Sequence, residues 1–319
     1  MKVSVLVPVY GVERYIGQCA ESLMEQTYKD VEYIFVNDCT RDDSIGRLNQ
    51  VLERYPERRN QVRIINHEKN MGLGMARQSG LNAATGDAVI IVDSDDYVAR
   101  EMIEKLVAMQ RSTGAHIVDA GYGIVRNGVV DKEHLPLPIG DKAYLKTILC
   151  QNVEPNRIWG RLIMKSLFDE NGITFTPGVD YCEDFSVLPR LLVNGKRSWV
   201  DECLYFYRDD NSNSYTNNIT IKNAVSFLKA QQLVGEYFVA SRYWSDYSCA
   251  AQMGWVNVWR FSRRFNVEKT VVDEHFSLKP DNIIISSLFA MMRNSRFSYR
   301  VANFLYLTAR RSYLAFNGL

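Results

Sequence analysis

Long hydrophobic runs are missing from this 319-residue sequence: no window reaches the ~18 uninterrupted apolar residues that a membrane span requires. Paired cysteines are missing too. Cys19, Cys39, Cys150, Cys182, Cys203 and Cys249 stand far apart, with neither metal-type spacing nor a dense framework, which excludes a disulfide-stapled fold and fits a reducing cytoplasm. An excess of one charge is missing. The formal net charge of +1 argues against a nucleic-acid binder driven by global electrostatics. There is no fixed-period repeat and no low-complexity tract. Lys2 to Val7 reads at once as a strand and leaves no room for a charged leader, apolar core and cleavage site, so export by an obvious route is not expected. What the chain does have is 46% hydrophobic content, enough for a full core in one large domain or two moderate ones.

Up to about residue 120, apolar strand runs alternate with helical periodicity, the pattern of βαβ units and a parallel sheet. Strands are expected at Val3 to Val7, Val31 to Val36, Val62 to Asn66 and Ala88 to Val92, and helices at Gly11 to Thr27, Ser44 to Tyr55, Gly74 to Ala84 (closed by Gly86) and Tyr97 to Ser112. His116 to Asp119 and Gly121 to Val125 resume the sheet. The polar, proline-bearing stretch Lys132 to Asp141 reads as a connection or flap. Helices return at Lys142 to Cys150, Lys165 to Asn171 and Phe185 to Asn194. Ser198 to Tyr207 is strand-like and ends in the polar loop Arg208 to Asn218. Beyond it the chain turns to long amphipathic helices. After Asp281 it has no acidic residue, while Arg293, Arg296, Arg300, Arg310 and Arg311 alternate with Phe, Leu, Tyr and Met. Such a tail fits an anionic membrane surface, a partner or homodimer interface, or plain packing on the catalytic domain.

Asp93-Ser94-Asp95-Asp96 sets three carboxylates in four residues after a buried apolar strand, where open α/β sheets bind ligands. Converging carboxylates are hard ligands suited to Mg²⁺ or Mn²⁺, which complete their shells with water and substrate phosphates. A solvated, helix-capping turn is the plainer alternative. Asn37-Asp38 ends the second strand beside the same crevice. Asp38 either accepts from a base N–H, with Pro8-Val9-Tyr10 as a flat wall, or caps the helix near Ser44. His67 is a weaker pocket candidate and reads more readily as a satisfied surface histidine.

These motifs, Val5 to Tyr10, Ser22 to Tyr28, Asn37-Asp38 with Asp42 and Ser44, Asn70 to Leu73 with Ala76-Arg77, and Asp93 to Asp96, resemble in order and spacing the family 2 glycosyltransferases of the GT-A fold. Two departures are Cys39-Thr40, where the family usually has Gly-Ser, and Gly11, where Asn is commoner. The resemblance implies an α/β GT-A nucleotide-sugar fold over residues 1–218, with a mostly parallel sheet, a nucleotide-binding half (1–112) and an acceptor half (113–218), followed by a helical extension over 219–319. It implies a UDP-sugar donor held by Pro8, Tyr10, Asp38, Asn70, Arg77 and Asp93, and a metal at Asp95 supported by Asp96. Glu183-Asp184 matches the family's acidic pair, and Asp184 is the expected base. Trp159 looks like an acceptor-side aromatic, with a core tryptophan as the alternative. Arg208, Ser212 and Ser214 resemble a loop that closes on the diphosphate.

The resemblance therefore points to an inverting transfer onto a saccharide acceptor, lipid-linked or free, in bacterial surface or capsular polysaccharide assembly, by a cytoplasmic protein with peripheral contact at the inner membrane face. A sugar-phosphate nucleotidyltransferase would want a Gly-rich basic phosphate loop after the first strand, which Pro8 to Glu13 does not offer. A catalytically silent carbohydrate-binding or scaffold protein fits poorly with intact Asp93, Asp95 and Asp184.

Overall fold

The computed structural model describes residues 1–150, 156–209, 220–294 and 296–317, without the side chains of 294–298. Its strands are β1 (Val3–Val9), β2 (Val31–Asn37), β3 (Val62–Asn66), β4 (Ala88–Ile91), β5 (Tyr97–Val98), β6 (Ile117–Arg126), β7 (Val129–His134), β8 (Leu162–Met164) and β9 (Arg197–Arg208). Its helices are α1 (Ile16–Met24), α2 (Ser44–Leu52), α3 (Leu73–Ala83), α4 (Met102–Thr113), α5 (Asp141–Leu149), α6 (Lys165–Glu170), α7 (Glu183–Asn194), α8 (Ile221–Ala240), α9 (Trp244–Arg264), α10 (Lys269–His275), α11 (Ile283–Asn294) and α12 (Arg296–Phe316). The chain forms two compact units that interleave in sequence. The first takes Met1–Pro136, Ile158–Gly178 and Asn194–Asn217; the second takes Leu137–Arg157, Val179–Val193 and Asn218–Leu319.

All the strands belong to the first unit, in one sheet ordered β3-β2-β1-β4-β8-β6-β9-β5, with β7 hydrogen-bonded to β6. β1 to β4 run parallel, β8 pairs antiparallel with both β4 and β6, and β6 pairs parallel with β9. Strand order reverses between β1 and β4, so a crevice opens beyond their carboxyl ends. Pro8 fits there because pairing with β4 stops at Leu6 and Ile91, leaving no ladder bond for its missing N–H to break. One face of the sheet buries Val5, Val7, Phe35, Ile90 and Val118 with Ile16 and Leu23 of α1 and Leu106 of α4. On the other, α3 lies close enough that a Cβ on Gly80 would stand 3.3 Å from Leu6.

Three expectations differ from the structure. Tyr97 does not open a helix: Tyr97 and Val98 pair with Phe206 and Tyr205 as β5, and α4 starts at Met102. The apolar spacing suits a helix, but the buried Gln26 holds this stretch open, donating to the Ala99 carbonyl (2.8 Å) and accepting from Ile103 N–H (3.2 Å). Gly86 does not close α3, whose last cap is Ala84. Gly86 instead lies against β1, where a Cβ would stand 2.8 Å from the Lys2 carbonyl. Part of the expected 132–141 connection is strand, since Lys132 to His134 pairs with Tyr122 to Ile124.

A buried ion cluster ties the far half of the sheet together. Asp119 of β6 accepts from Arg197 Nη1 at 3.0 Å, at the start of β9, and forms an ion pair with Arg161, just before β8, at 3.1 Å from its Nε. The second unit is helical. Phe227 of α8 stacks on Phe261 of α9 at 4.1 Å, and Thr220 caps α8 by accepting from Asn223 N–H.

Candidate active site

β4 ends at Ile91, and the chain turns through Asp93 to Asp96 before β5. Asp93 and Asp95 are half-exposed, whereas Asp96 is 1% exposed. Asp96 accepts from the Tyr205 hydroxyl (2.7 Å) and from Arg208 N–H (2.7 Å), so it pins the turn to the end of β9. The same hydroxyl accepts from Asp93 N–H at 3.1 Å. Arg208 Nε donates to the Asp95 carbonyl (2.9 Å) and its Nη2 to Gln18 (2.6 Å), while its guanidinium lies over the Tyr15 ring. Beneath the turn, the Cys19 thiol donates to the Asp93 carbonyl. Burial pushes the Asp96 carboxyl well above its ordinary range, and the charges of Asp95 and Asp93 push it further. Burial likewise raises the Cys19 thiol, and Asp96, Asp95 and Asp93 add to that rise. The turn is a concentrated patch of negative charge with two carboxylates partly exposed.

The nucleotide-side residues gather at the ends of β1 to β3. Asp38 is buried and does not cap the helix near Ser44. It accepts from Met71 N–H (2.7 Å) and Gly72 N–H (2.8 Å) and meets His67 Nδ1 at 2.7 Å. His67 is thus no loose surface residue: its Nε2 meets Ser79 Oγ of α3 at 2.8 Å, and its side chain is shielded. The Asn70 amide donates to the Asp38 carbonyl (3.3 Å), so one aspartate and its neighbours hold the whole 70–72 loop. Gly72, with φ +91°, is the residue that lets the chain enter α3 there. Arg77, 1% exposed, reaches from α3 to Asp93 Oδ1 at 2.8 Å and links this loop to the acidic turn. Tyr10 stands exposed beyond buried Pro8. The adjoining loops interlock, since Gly11 N–H donates to Thr40, Val12 N–H donates to Ser44, and the Thr40 and Ser44 hydroxyls both donate to Asp42.

Trp159 is half-exposed and stacks on Tyr205 (4.3 Å between centroids) and Tyr207 (5.5 Å), with Tyr122 edge-on. It belongs to an aromatic group above the acidic turn and is not wholly a core residue. Gly160, at φ +69°, leaves no room for a Cβ, which would stand 2.9 Å from the Tyr205 ring. Glu183 and Asp184 lie in the second unit, in the first turn of α7. Glu183 is buried and Asp184 half-exposed. Cys182, just before them, takes φ +65°, and its thiol is raised by burial and by both carboxylates. Ser212 and Ser214 lie outside the described residues.

Sequence reasoning missed one positioning residue and ranked another low. Tyr205 is legible only as part of an aromatic strand, and His67 reads only as a weaker pocket candidate; their partners lie far away in the chain. Among the described residues no group of three or more His, Cys, Asp or Glu could enclose a metal ion. The partly exposed carboxylates at Asp93 and Asp95 nonetheless suit a hard cation that keeps waters and substrate oxygens in its shell.

A mostly parallel sheet with its crevice at the strand reversal, acids at the end of β4 and a second acid at the end of β2 make up the architecture of the GT-A fold. Residues 4–173 match Glycosyl transferase family 2, and the chain belongs to that family. It is similar to the uncharacterized glycosyltransferase EpsJ of Bacillus subtilis, with 31% identity over 223 residues, 67% of this chain and 62% of that protein. It is also similar to poly(ribitol-phosphate) beta-N-acetylglucosaminyltransferase TarS of Staphylococcus aureus, with 26% identity covering 65% of this chain and 35% of that one. The match thus spans less than two thirds of either relative. TarS 1-349 in complex with UDP-GlcNAc shares the fold at TM-score 0.67 and 18% identity, over 97% of this chain and 92% of that one. So does a mannosyltransferase of Pyrobaculum calidifontis in complex with GDP-Man and Mn²⁺, at TM-score 0.56 and 14% identity, over 98% and 86%. Among the described residues no helix is long and apolar enough to cross a membrane.

Proposed function

We propose that this glycosyltransferase is an inverting, metal-dependent enzyme that moves a sugar from a UDP donor to a saccharide hydroxyl in bacterial surface or cell-wall polysaccharide assembly. The observation that carries the reading is the Asp93–Asp96 turn at the strand reversal, with two carboxylates partly exposed and the third buried and locked by Tyr205 and Arg208. UDP-GlcNAc in the similar TarS structure supports a uridine donor, and the poly(ribitol-phosphate) acceptor of TarS supports a polymer acceptor of that kind.

Asp95 would hold a Mg²⁺ or Mn²⁺ ion beside Asp93, as the Mn²⁺ of the structurally similar mannosyltransferase suggests, with Asp96 as the supporting acid that fixes the turn. Bound there, such an ion stabilises charge developing on the departing diphosphate. Tyr10 and Pro8 would flank the base and Asn70 its edge, with Asp38 accepting from the ring N–H while holding the 70–72 loop. Asp93, fixed by Arg77, would accept from ribose hydroxyls. Arg77 would then act on the donor through Asp93, and Arg208, with Ser212 and Ser214, would close over the phosphates. Trp159 offers a half-open aromatic face to the acceptor ring. Asp184 takes the proton from the acceptor hydroxyl as that oxygen attacks the anomeric carbon from the side opposite the diphosphate. The bond to the diphosphate breaks with its electron pair staying on the leaving oxygen, and the anomeric configuration inverts. Glu183, the more buried of the pair, supports Asp184.

The test is metal-dependent UDP release from a panel of UDP-sugars, with and without chelator. Asp95→Ala should lower the rate at least about a hundredfold, because the charge on the leaving group loses its counterpart. Full turnover by that variant, or turnover indifferent to chelation, would refute the assignment.

A further inference from the structure

α11 and α12 carry an apolar face that the second unit leaves uncovered. Along α12, Val301, Phe304, Leu305, Ala315 and Phe316 are exposed at helical spacing, Phe304 to 71% and Phe316 to 91%. Ile283, 84% exposed, and Ile284 stand at the start of α11. Ile284 lines an apolar cleft with Ala309 and Tyr313 of α12. Exposed Arg300 and Arg311 lie about three turns apart on one flank of the α12 stripe. Arg300 also lines a cavity of about 420 Å³ with Arg263, Ser262, Asn266 and Tyr299, which brings two guanidiniums and several hydrogen-bonding groups into one recess. From residue 282 onward there are five arginines and no acid, in a chain whose net charge is +1.

We propose that this face docks on an anionic lipid bilayer, with α12 in the plane of the interface, Phe304 and Phe316 in the acyl boundary and the Arg263–Arg300 recess on lipid phosphates. Charge decides between this occupant and a second copy of the chain. A two-fold contact through α12 would set the same surface against itself, opposing arginine to arginine with no carboxylate on either copy of the helix to compensate. An anionic membrane supplies the missing charge, while the aromatic stripe gains from burial at the interface. The helix lies on the bilayer and does not cross it, because its apolar residues occupy one stripe and no 18-residue window is apolar enough to span.

The experiment is co-sedimentation of the full chain, without donor, with vesicles of phosphatidylcholine alone or with about 30% phosphatidylglycerol, at low and high salt. Binding is expected only to the anionic vesicles and should fall with salt. Arg300→Glu with Arg311→Glu, and separately Phe304→Ser with Phe316→Ser, should each weaken it about tenfold or more while leaving the melting temperature and UDP release unchanged. Absence of binding by the wild-type chain, binding unaffected by both variants, or equal binding to neutral vesicles would overturn the proposal. So would a dimer in light scattering that the Phe variant dissolves. No donor or acceptor enters the assay, so its failure is separate from failure of the glycosyltransferase reading.

Discussion

At the scale of single residues, local backbone conformation explains one of the two departures from the family's usual motif and not the other. Cys39 sits at φ +57° and Gly11 at φ +68°. Asn and Gly both tolerate that left-handed region, so Gly11 keeps what the position requires, whereas a cysteine there is strained. Cys39→Gly should therefore stabilise the chain by about 0.5 to 1 kcal/mol in urea titration, and a loss of stability would show that the thiol's contact with the Glu68 carbonyl matters more. Tyr205 makes a sharper case. Its buried hydroxyl links Asp96 to the backbone of Asp93 without touching solvent, so it acts on the chemistry only by positioning the turn. Tyr205→Phe should cost about 1 to 3 kcal/mol of stability by leaving buried Asp96 short of a donor. It should also raise the metal concentration needed for half-maximal UDP release. A variant that loses stability with its metal dependence unchanged would reduce Tyr205 to a packing residue.

At the scale of elements, two buried carboxylates join strands. Removing Asp119 takes from Arg161 and Arg197, whose side chains are wholly buried, the carboxylate that they share. Asp119→Ala should destabilise the first unit by about 3 to 5 kcal/mol in chemical denaturation, far more than loss of an exposed ion pair such as that of Arg126 with Asp131. Glu32 of β2 works through hydrogen bonds. Burial alone would raise its carboxyl, but the Ser4 hydroxyl (2.6 Å), Thr85 N–H (2.7 Å), the Thr85 hydroxyl (3.0 Å) and Lys2 (3.2 Å) outweigh it and bring the value down from 4.5 to about 2. A depressed carboxyl contributes stability that is complete above the unfolded value and is lost as pH falls from about 4.5 toward 2. Glu32→Gln should flatten the stability profile across that window, and an unchanged slope would show that other carboxylates set it.

At the scale of the whole molecule, every described donor-side residue belongs to the first unit and the candidate base to the second. Binding and turnover should therefore separate. Saturating UDP with Mn²⁺ should raise the melting temperature of both the wild-type chain and Asp184→Asn, by about 2.7 kcal/mol of stabilisation at a hundred times Kd, while only the wild type transfers sugar. Turnover by Asp184→Asn at the wild-type rate would place the base elsewhere. The interleaving of the units has a plain physical origin: α5 packs with α9, with Lys142 bonded to Asp246 104 positions later, and Tyr181 bonds to Ser226 of α8, 45 positions later, so contiguous boundaries read from composition do not follow the contacts.

By itself the sequence determined β1 to β4, the helices between them and the acids that follow β2 and β4, because apolar period and turn residues act over a few positions. It also displayed the basic, acid-free tail. It did not show β5, whose apolar residues keep helical spacing while a buried glutamine draws them into the sheet. Nor did it rank the carboxylates. Only the tertiary structure decided that Asp93 and Asp95 stay partly exposed while Asp38 and Asp96 are buried, because the groups that bond to the buried pair, His67, Tyr205 and Arg208, stand 29, 109 and 112 positions away. Burial and hydrogen bonding between such distant segments follow from packing, which no local pattern encodes.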